Sequence, residues 1–350
     1  MKAAAMEGFR RPLVIRDLPD PPLPEHGARV QVKANGICRS DWHTWVGDWS
    51  WMGAKFDFPF VLGHEFCGVV VEVGRVCTRF KPGDRVIVPF SQGEGSCEQC
   101  LSGNHHVCEA GPSPGWSYWG GYGERVAVPH ADINLVSLPQ SVDFVEAASL
   151  GCRFMTSFHG LIDRAQVRPG EWVAVHGCGG IGLSAVQIAT AAGGSVIAVD
   201  IDAHKLEAAR GQGAVAVINA SVDDPVAAIR DMTRGGVQVA VDALGIEATC
   251  RNAILSLRKR GRHLQIGLTG AAEQGDVSVP IDFVVTNELT LLGSMGMAPP
   301  RFGSMLELVE RGMLRPGALV SRTVPLEEAG SVLASMDEFG TLGMVVIDRY

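Results

Sequence analysis

Five stretches of this chain carry residue types that do chemistry. Residues 94–108 read EGSCEQCLSGNHHVC, which places Cys97 and Cys100 in a CxxC pair, Cys108 eight residues on, and Glu94 three residues before the first cysteine. Such spacing suits a zinc staple, and a closed zinc site takes four ligands in a tetrahedron. Three are cysteines here, so the loop reads as a Cys₃Glu site, an empty lobe, or a site completed by water or histidine. His105 and His106 read as solvated loop residues. Residues 36–43, GICRSDWH, and 63–65, GHE, each hold a soft or borderline metal ligand, Cys38 and His64, beside polar groups able to orient it. Cys152 stands in AASLGCRFMTSFHG. These segments are far apart in sequence, and spacing alone does not connect them.

The fifth stretch is residues 177–182, GCGGIG, in which Gly177, Gly179 and Gly182 form G-x-G-x-x-G. The pattern is weak alone in a chain with 43 glycines, but it follows the strand-like WVAVH and opens the helical LSAVQIATAAG. In that context the first glycine allows the turn, the second lets backbone approach a pyrophosphate, and the third lets helix and strand pack closely. The helix N-terminus offers free N–H groups to phosphate charge. Asp200 ends the next strand, VIAVD, 18 residues past Gly182. An acid there bonds the ribose hydroxyls of NAD and repels the 2′-phosphate of NADP. Its bland alternative is an N-cap for DAHKLEAAR, a role that Asp202 could equally fill.

The elements that must position these residues fall into two textures. Up to about residue 150 there are short β-rich runs with frequent Gly and Pro, such as ARVQVKANGI, CGVVVEVG and ERVAVPH, which read as an antiparallel, barrel-like domain. From about residue 153, strands alternate with helices: EWVAVHG, SVIAVD, AVAVINAS, VQVAVDALG and RHLQIGL, with ATCRNAILSLRKRG helical between the last two. Such alternation means βαβ units and a doubly wound parallel sheet. From about residue 296 one helix, FGSMLELVERGML, and short strands return to the first domain.

Bulk properties exclude several partners. The 350 residues are 46% hydrophobic and 19% charged, enough for two filled domains. A net charge of −8 argues against nucleic acid and against an anionic membrane surface. No apolar run is long enough to span a bilayer, and the start lacks a signal peptide, so a cytoplasmic location is expected. Cysteines in a reducing compartment bind metal or fill space, and Cys67, Cys77, Cys178 and Cys250 read as small fillers.

Taken with GGYGERVAVP, these motifs in their order resemble the zinc-dependent medium-chain alcohol dehydrogenase family over essentially the whole chain. The resemblance implies a GroES-like β-barrel catalytic domain, residues 1–152 completed by 296–350. It also implies a Rossmann NAD-binding domain, 153–295, with the active site in the cleft between them. Cys38, His64 and Cys152 match the catalytic zinc ligands, a Cys₂His set that leaves a fourth position open. Asp41 matches the carboxylate that orients the ligand histidine, and Glu65 the acid behind the zinc. Ser40 and His43 match a proton relay. Arg39 matches a pyrophosphate ligand, and Thr156 and Ile181 hold the nicotinamide. Gly177, Gly179, Gly180, Gly182, Asp200 and Lys205 complete the expected cofactor-binding set. The expected cofactors are NAD, a catalytic zinc and a structural zinc. The expected partners are a small alcohol, aldehyde or ketone and further copies of the chain, as dimer or tetramer.

Two departures stand out. The family's lobe carries four cysteines, and Glu94 occupies the first of those positions. After Gly343, where the family often has a basic residue reaching the cofactor phosphate, this chain has Met344. Substrate clues are aromatic. Trp42, Trp45, Trp49 and Trp51 follow Cys38, Trp116, Tyr118 and Trp119 precede the GGYGE turn, and Phe90 matches a channel position. Of these, Phe90, Trp49, Trp51, Trp116 and Trp119 are expected to line an apolar pocket for medium-chain, cyclic or aryl alcohols. The alternatives are aromatic packing in a core or subunit interface, a polyol or sugar substrate, and a non-catalytic nucleotide-binding relative.

Overall fold

Alternating valines build the first sheet. In the strand Ala28–Ile37, Ala28, Val30, Val32 and Ala34 are buried while Arg29, Gln31 and Lys33 lie on the other face, the period-2 signature of a half-buried strand. The computed structural model describes residues 1–53, 55–338 and 341–350. It divides into two units, Met1–Met155 with Gly296–Tyr350, and Thr156–Met295.

In the first unit the strands Val320–Pro325, Met344–Arg349, Ala28–Ile37, Glu65–Val73, Arg85–Val88 and Val136–Ser137 form one sheet in that order, and Arg125–Val128 also pairs with Ala28–Ile37. All pairs are antiparallel except Val320–Pro325 with Met344–Arg349. Val30, Val32, Phe66, Val70, Val86, Val88, Val126 and Val128 meet in one core. A second core gathers Ile37, Leu62, Tyr122, Leu333 and Ile347 beside a small sheet of Val14–Asp17, Lys2–Met6 and Phe60–Val61. Among the described residues, the C-terminal stretch holds two α-helices rather than the expected one. Besides Phe302–Glu310 there is Ala329–Ser335, whose Ala329, Val332 and Leu333 bury one face. Its seven residues, AGSVLAS, carry too short an apolar stripe to register as a helical period.

In the second unit six parallel strands run in the order Ala216–Asn219, Ser195–Asp200, Trp172–His176, Val237–Asp242, Leu257–Gln265, Thr290–Gly293. The order reverses between Trp172–His176 and Val237–Asp242, the switch point at which doubly wound sheets bind ligands. One boundary differs from the sequence expectation. The helix Glu247–Leu255 stops early, and LRKRG opens the strand Leu257–Gln265 instead of continuing the helix. Leu257 is fully buried opposite Val237, while Arg258, Lys259 and Arg260 bulge out to solvent with Arg260 at φ 61°. Burial of a single leucine overrides the helical propensity of the basic run. Among the described residues, no helix is long and apolar enough to cross a membrane.

Candidate active site

The three candidate catalytic ligands come from three elements of the first unit. Cys38 caps the helix Arg39–Val46, His64 precedes the strand Glu65–Val73, and Cys152 lies in the wide helical turn Leu150–Phe154. One ligating atom from each lies within 4.8 Å of the others, and all three residues are buried. Asp41 explains how the histidine is held. Its Oδ1 is 2.8 Å from His64 Nδ1 and also accepts from Gly63 N at 3.2 Å, while Oδ2 accepts from Cys38 N at 3.0 Å. The carboxylate keeps a proton on Nδ1 and leaves Nε2 as a lone-pair donor. His64 Nε2 is buried and has no hydrogen-bond partner. An orphaned imidazole nitrogen beside two thiols is the donor set of a catalytic zinc, so these residues fit the metal.

Electrostatics reinforce this. A hydrogen bond from Cys152 holds the Cys38 thiol well below its ordinary range against the cost of burial, and the charges of Arg153 and His64 add to it. Cys152 moves the opposite way, because it is the donor of that bond and is itself buried. Burial opposes a charged His64, yet Asp41 and Cys38 together push it well above its ordinary value. Cys152 thus donates to a Cys38 thiol that favours its charged form in a dry pocket, a state that a cation relieves.

Glu65 lies behind this cluster, fully buried. Burial pushes its carboxyl up to about 7 despite the neighbouring Arg153. Arg153 donates through Nε at 2.9 Å, through Nη2 and through its backbone N at 3.1 Å. A Cβ added at Gly36 would stand 2.8 Å from Glu65 Oε2 and 3.0 Å from Arg153 Nη2, so only glycine fits there. The sequence reading missed Arg153 and Tyr122. Arg153 could have been found as the one charge in the apolar run ASLGCRFM. Tyr122, whose Oη donates to Asp41 Oδ2 at 3.3 Å, left no signal beyond its place in GGYGE.

The expected relay residues lie on the same helix as the Cys38 cap. Ser40 is half-buried on its first turn, and His43 stands on the next with Nδ1 against Asp48 Oδ2. Burial lowers His43 basicity, while Asp48 and Cys38 raise it and Arg39 lowers it. Arg39 stacks on Trp42 at 3.7 Å and donates to Met336 O.

Aromatic residues divide. Phe90 meets the His64 ring edge-on at 5.9 Å; Trp49 stacks on His43 at 4.6 Å; Trp116 meets Trp49 at 6.0 Å. Trp119 packs against the second core, and Trp51 is 40% exposed on the turn Ser50–Met52. Trp45 is a core residue, its indole N–H on Arg11 O at 2.6 Å. The position after Cys38 therefore did not by itself sort lining residues from core residues.

The cysteine lobe is built locally. Ligating atoms of Glu94, Cys97, Cys100 and Cys108 lie within 4.8 Å of one another. Backbone N–H groups point at the sulfurs, Glu94 N to Cys108 Sγ at 3.5 Å, Gly95 N to Cys100 Sγ at 3.4 Å and Cys100 N to Cys97 Sγ at 3.5 Å. Donors aimed at sulfur stabilise thiolates, the form that zinc binds. The Glu94 carboxylate accepts from Ser96 N at 2.8 Å, Cys97 N at 2.5 Å and Ser96 Oγ at 2.6 Å. The Ser96 hydroxyl foremost, with these amides, holds it ionised, down to about 2. His105 and His106 do not join the donors. His105 is not simply solvated: its Nδ1 is buried without a partner, and its ring lies close under Gly93.

In the second unit the glycine loop has the expected cradle. Gly177 takes φ 92°, and a Cβ on Gly182 would stand 1.8 Å from Gly177 O. Gly179 precedes the helix Gly180–Ala191 and supplies no side-chain cap, so its first amides stay available to a phosphate. Asp200 Oδ2 accepts from Cys178 N at 2.6 Å, and Oδ1 from Ile201 N at 2.8 Å and Asp202 N at 3.0 Å. Asp202 caps the helix Ala203–Gly211 through His204 N and Lys205 N, which places Lys205 in its first turn. The cap is thus Asp202, and Asp200 closes the glycine turn. Ile181 accepts the Ser157 hydroxyl at its carbonyl, and Thr156 is buried at the start of this unit. Met344 is fully buried in its strand.

A barrel-like sheet holding a Cys₂His donor set, together with a doubly wound sheet holding a glycine cradle, defines a zinc-binding dehydrogenase. Residues 24–140 match the family described as alcohol dehydrogenase GroES-like domain, and residues 180–311 the family described as zinc-binding dehydrogenase. An alcohol dehydrogenase of Geobacillus stearothermophilus is 35% identical, covering 99% of this chain and 98% of its own. An NAD-dependent alcohol dehydrogenase of Sulfurisphaera tokodaii is 33% identical, covering 99% of both. The solved alcohol dehydrogenase from Thermus sp. ATN1 superposes with a TM-score of 0.90 at 30% identity, covering 100% of both chains. The chain belongs to the zinc-type medium-chain alcohol dehydrogenase family. It is an oxidoreductase of the CH–OH group, with zinc and NAD as its cofactors.

Proposed function

We propose that this chain oxidises medium-chain, cyclic or aryl alcohols to aldehydes or ketones, and runs the reverse reduction, with Cys38, His64 and Cys152 as the ligands of its catalytic zinc. The observation that carries the reading is the buried, unpartnered Nε2 of His64 beside two thiols. Bound zinc supplies Lewis acidity toward an alcohol or carbonyl oxygen. The protein's own residues do the rest. Asp41 fixes the tautomer of His64. Arg153 and Glu65 close the back of the cluster and keep it dry. Ser40 and His43 carry the substrate proton to solvent. Phe90, Trp49 and Trp116 give the substrate apolar walls, which favour carbon chains over ethanol. Gly177, Gly179, Gly180 and Gly182 seat the dinucleotide with the helix N-terminus, aided by Arg39 and Lys205, while Thr156 and Ile181 hold the nicotinamide. The Asp200 carboxylate disfavours a 2′-phosphate and so favours NAD. Glu94, Cys97, Cys100 and Cys108 hold a second, structural zinc, and the chain works as a homo-oligomer.

The test is reduced nicotinamide formation with NAD⁺ and, separately, NADP⁺ against ethanol, hexanol, cyclohexanol, benzyl alcohol and sorbitol. Turnover of the apolar alcohols with NAD⁺ is expected. A lower KM for ethanol than for hexanol would overturn the apolar-wall reading. Turnover of sorbitol alone would move the protein to polyols.

A further inference from the structure

His43 is held more firmly than a relay residue on an open helix would be. The helix Arg39–Val46 ends at Gly47, whose φ of 75° turns the chain back. Asp48 then donates its backbone N to His43 O at 2.9 Å, and its Oδ2 meets His43 Nδ1. Trp49 lies flat over the imidazole, centroids 4.6 Å apart and planes 12° from parallel. Trp42 meets the same ring edge-on at 5.0 Å. One face and one nitrogen of the ring are thereby committed.

We propose that Asp48 is a positioning residue for His43, its carboxylate keeping the proton on Nδ1 and presenting Nε2 as the nitrogen that exchanges protons along the relay. The inference rests on the relay reading of Ser40 and His43. A carboxylate is an acceptor only, so a neutral imidazole bonded to it carries its hydrogen on Nδ1. During alcohol oxidation the proton arrives at Nε2, the ring becomes an imidazolium stabilised by Asp48, and Nε2 passes the proton on to water. Asp48 itself takes no proton, as in other aspartate–histidine pairs. The His43 side chain is 18% exposed, so water reaches the ring. The groups that bear on it are Asp48 and Cys38, which raise its basicity, and Arg39, which with burial lowers it. Trp42 and Trp49 are uncharged.

The sequence carries a hint of this in WHTWVGDW, where a glycine separates the helix from an acid and an indole. The test uses zinc-loaded enzyme and kcat/KM for NAD⁺-dependent alcohol oxidation as a function of pH. Variants are Asp48→Asn, Asp48→Glu, His43→Gln and the double variant Asp48→Asn/His43→Gln. Asp48→Asn is expected to lower kcat/KM about tenfold, within the range of acid–base contributions. It is also expected to move the ascending limb to lower pH, because the opposing carboxylate is gone. Asp48→Glu recovers part of both effects and carries the test should the Asn variant fail to fold. In the His43→Gln background, Asp48→Asn costs nothing further. An Asp48→Asn enzyme with the wild-type profile overturns the inference, as does a loss that persists undiminished in the His43→Gln background. His43→Gln with wild-type rate and profile overturns the relay reading beneath it.

Discussion

Two metal-donor clusters in one unit are built in opposite ways. Cys38, His64 and Cys152 come from three distant segments, all buried, with Asp41 bracing Cys38 and His64 and the Arg153–Glu65 pair beside Cys152. Glu94, Cys97, Cys100 and Cys108 come from a single loop, mostly half-buried, braced by the loop's own amides. The first is assembled by the fold and the second by its own turn. A buried cluster depends on partners that would be stranded if one were removed, whereas a loop cluster with water at hand loses little beyond the ligand itself.

Substitutions behind the buried cluster should have the largest effect. Glu65→Ala leaves Arg153 charged, buried and unpaired, a change that costs about 3–5 kcal/mol in comparable pairs; chemical denaturation of the zinc-loaded protein measures it. An unchanged midpoint would mean that Arg153 finds another partner. Next, Asp41→Asn keeps the shape but lets the tautomer of His64 slip, and zinc affinity at the catalytic site should fall about 10–100-fold. Competition with a chromophoric chelator reads that out. Glu94→Ala should weaken the lobe's hold on zinc, at least about tenfold, and lower the melting temperature. Should Glu94→Ala release zinc less readily than Asp41→Asn does, the lobe is closed by its three thiolates alone and the contrast sharpens; a lobe holding no zinc in the unsubstituted protein would break it.

The smallest effect tests a third kind of burial. His176, at the end of the strand Trp172–His176, is fully buried with neither ring nitrogen paired. Burial, with His263 adding to it, pushes it down to about 3 from 6.5. The folded protein keeps this ring neutral while the unfolded chain protonates it. Stability is therefore complete above about 6.5 and falls as pH drops from there toward about 3. His176→Leu should flatten that slope in melting temperatures taken across the interval. An unaltered slope would place the acid sensitivity elsewhere.

The two clusters also differ in how legible they were. The lobe announces itself in fifteen residues, because every donor is local and the turn that gathers them is encoded with them. Cys38, His64 and Cys152 declare themselves only through their neighbours, GICRSDWH and GHE, and through resemblance. Their union depends on strand pairing that no local pattern states. The glycine cradle and Asp200 were legible because strand, turn and helix follow each other in sequence. Arg153, Tyr122 and Asp48 were missed for the reason the buried cluster is hard to read: each matters through a residue that it meets only after folding. Trp119, expected in the pocket, packs instead against the second core, since an indole near a ligand in sequence can turn toward the core.

The strand Met344–Arg349 lies between Val320–Pro325 and Ala28–Ile37, inserting the end of the chain beside one of its earliest strands. On the ribosome, Arg125–Val128 covers the Ala28–Gln31 part of that edge early, but Asn35–Ile37 stays bare while the whole nucleotide-binding unit is made. Domains finish as they are synthesised when their sequence is contiguous; this one is not. The glycine cradle can therefore close on its dinucleotide before the catalytic unit has its last strand, and the exposed edge in that interval is where a chaperone, or a second nascent chain, would meet it.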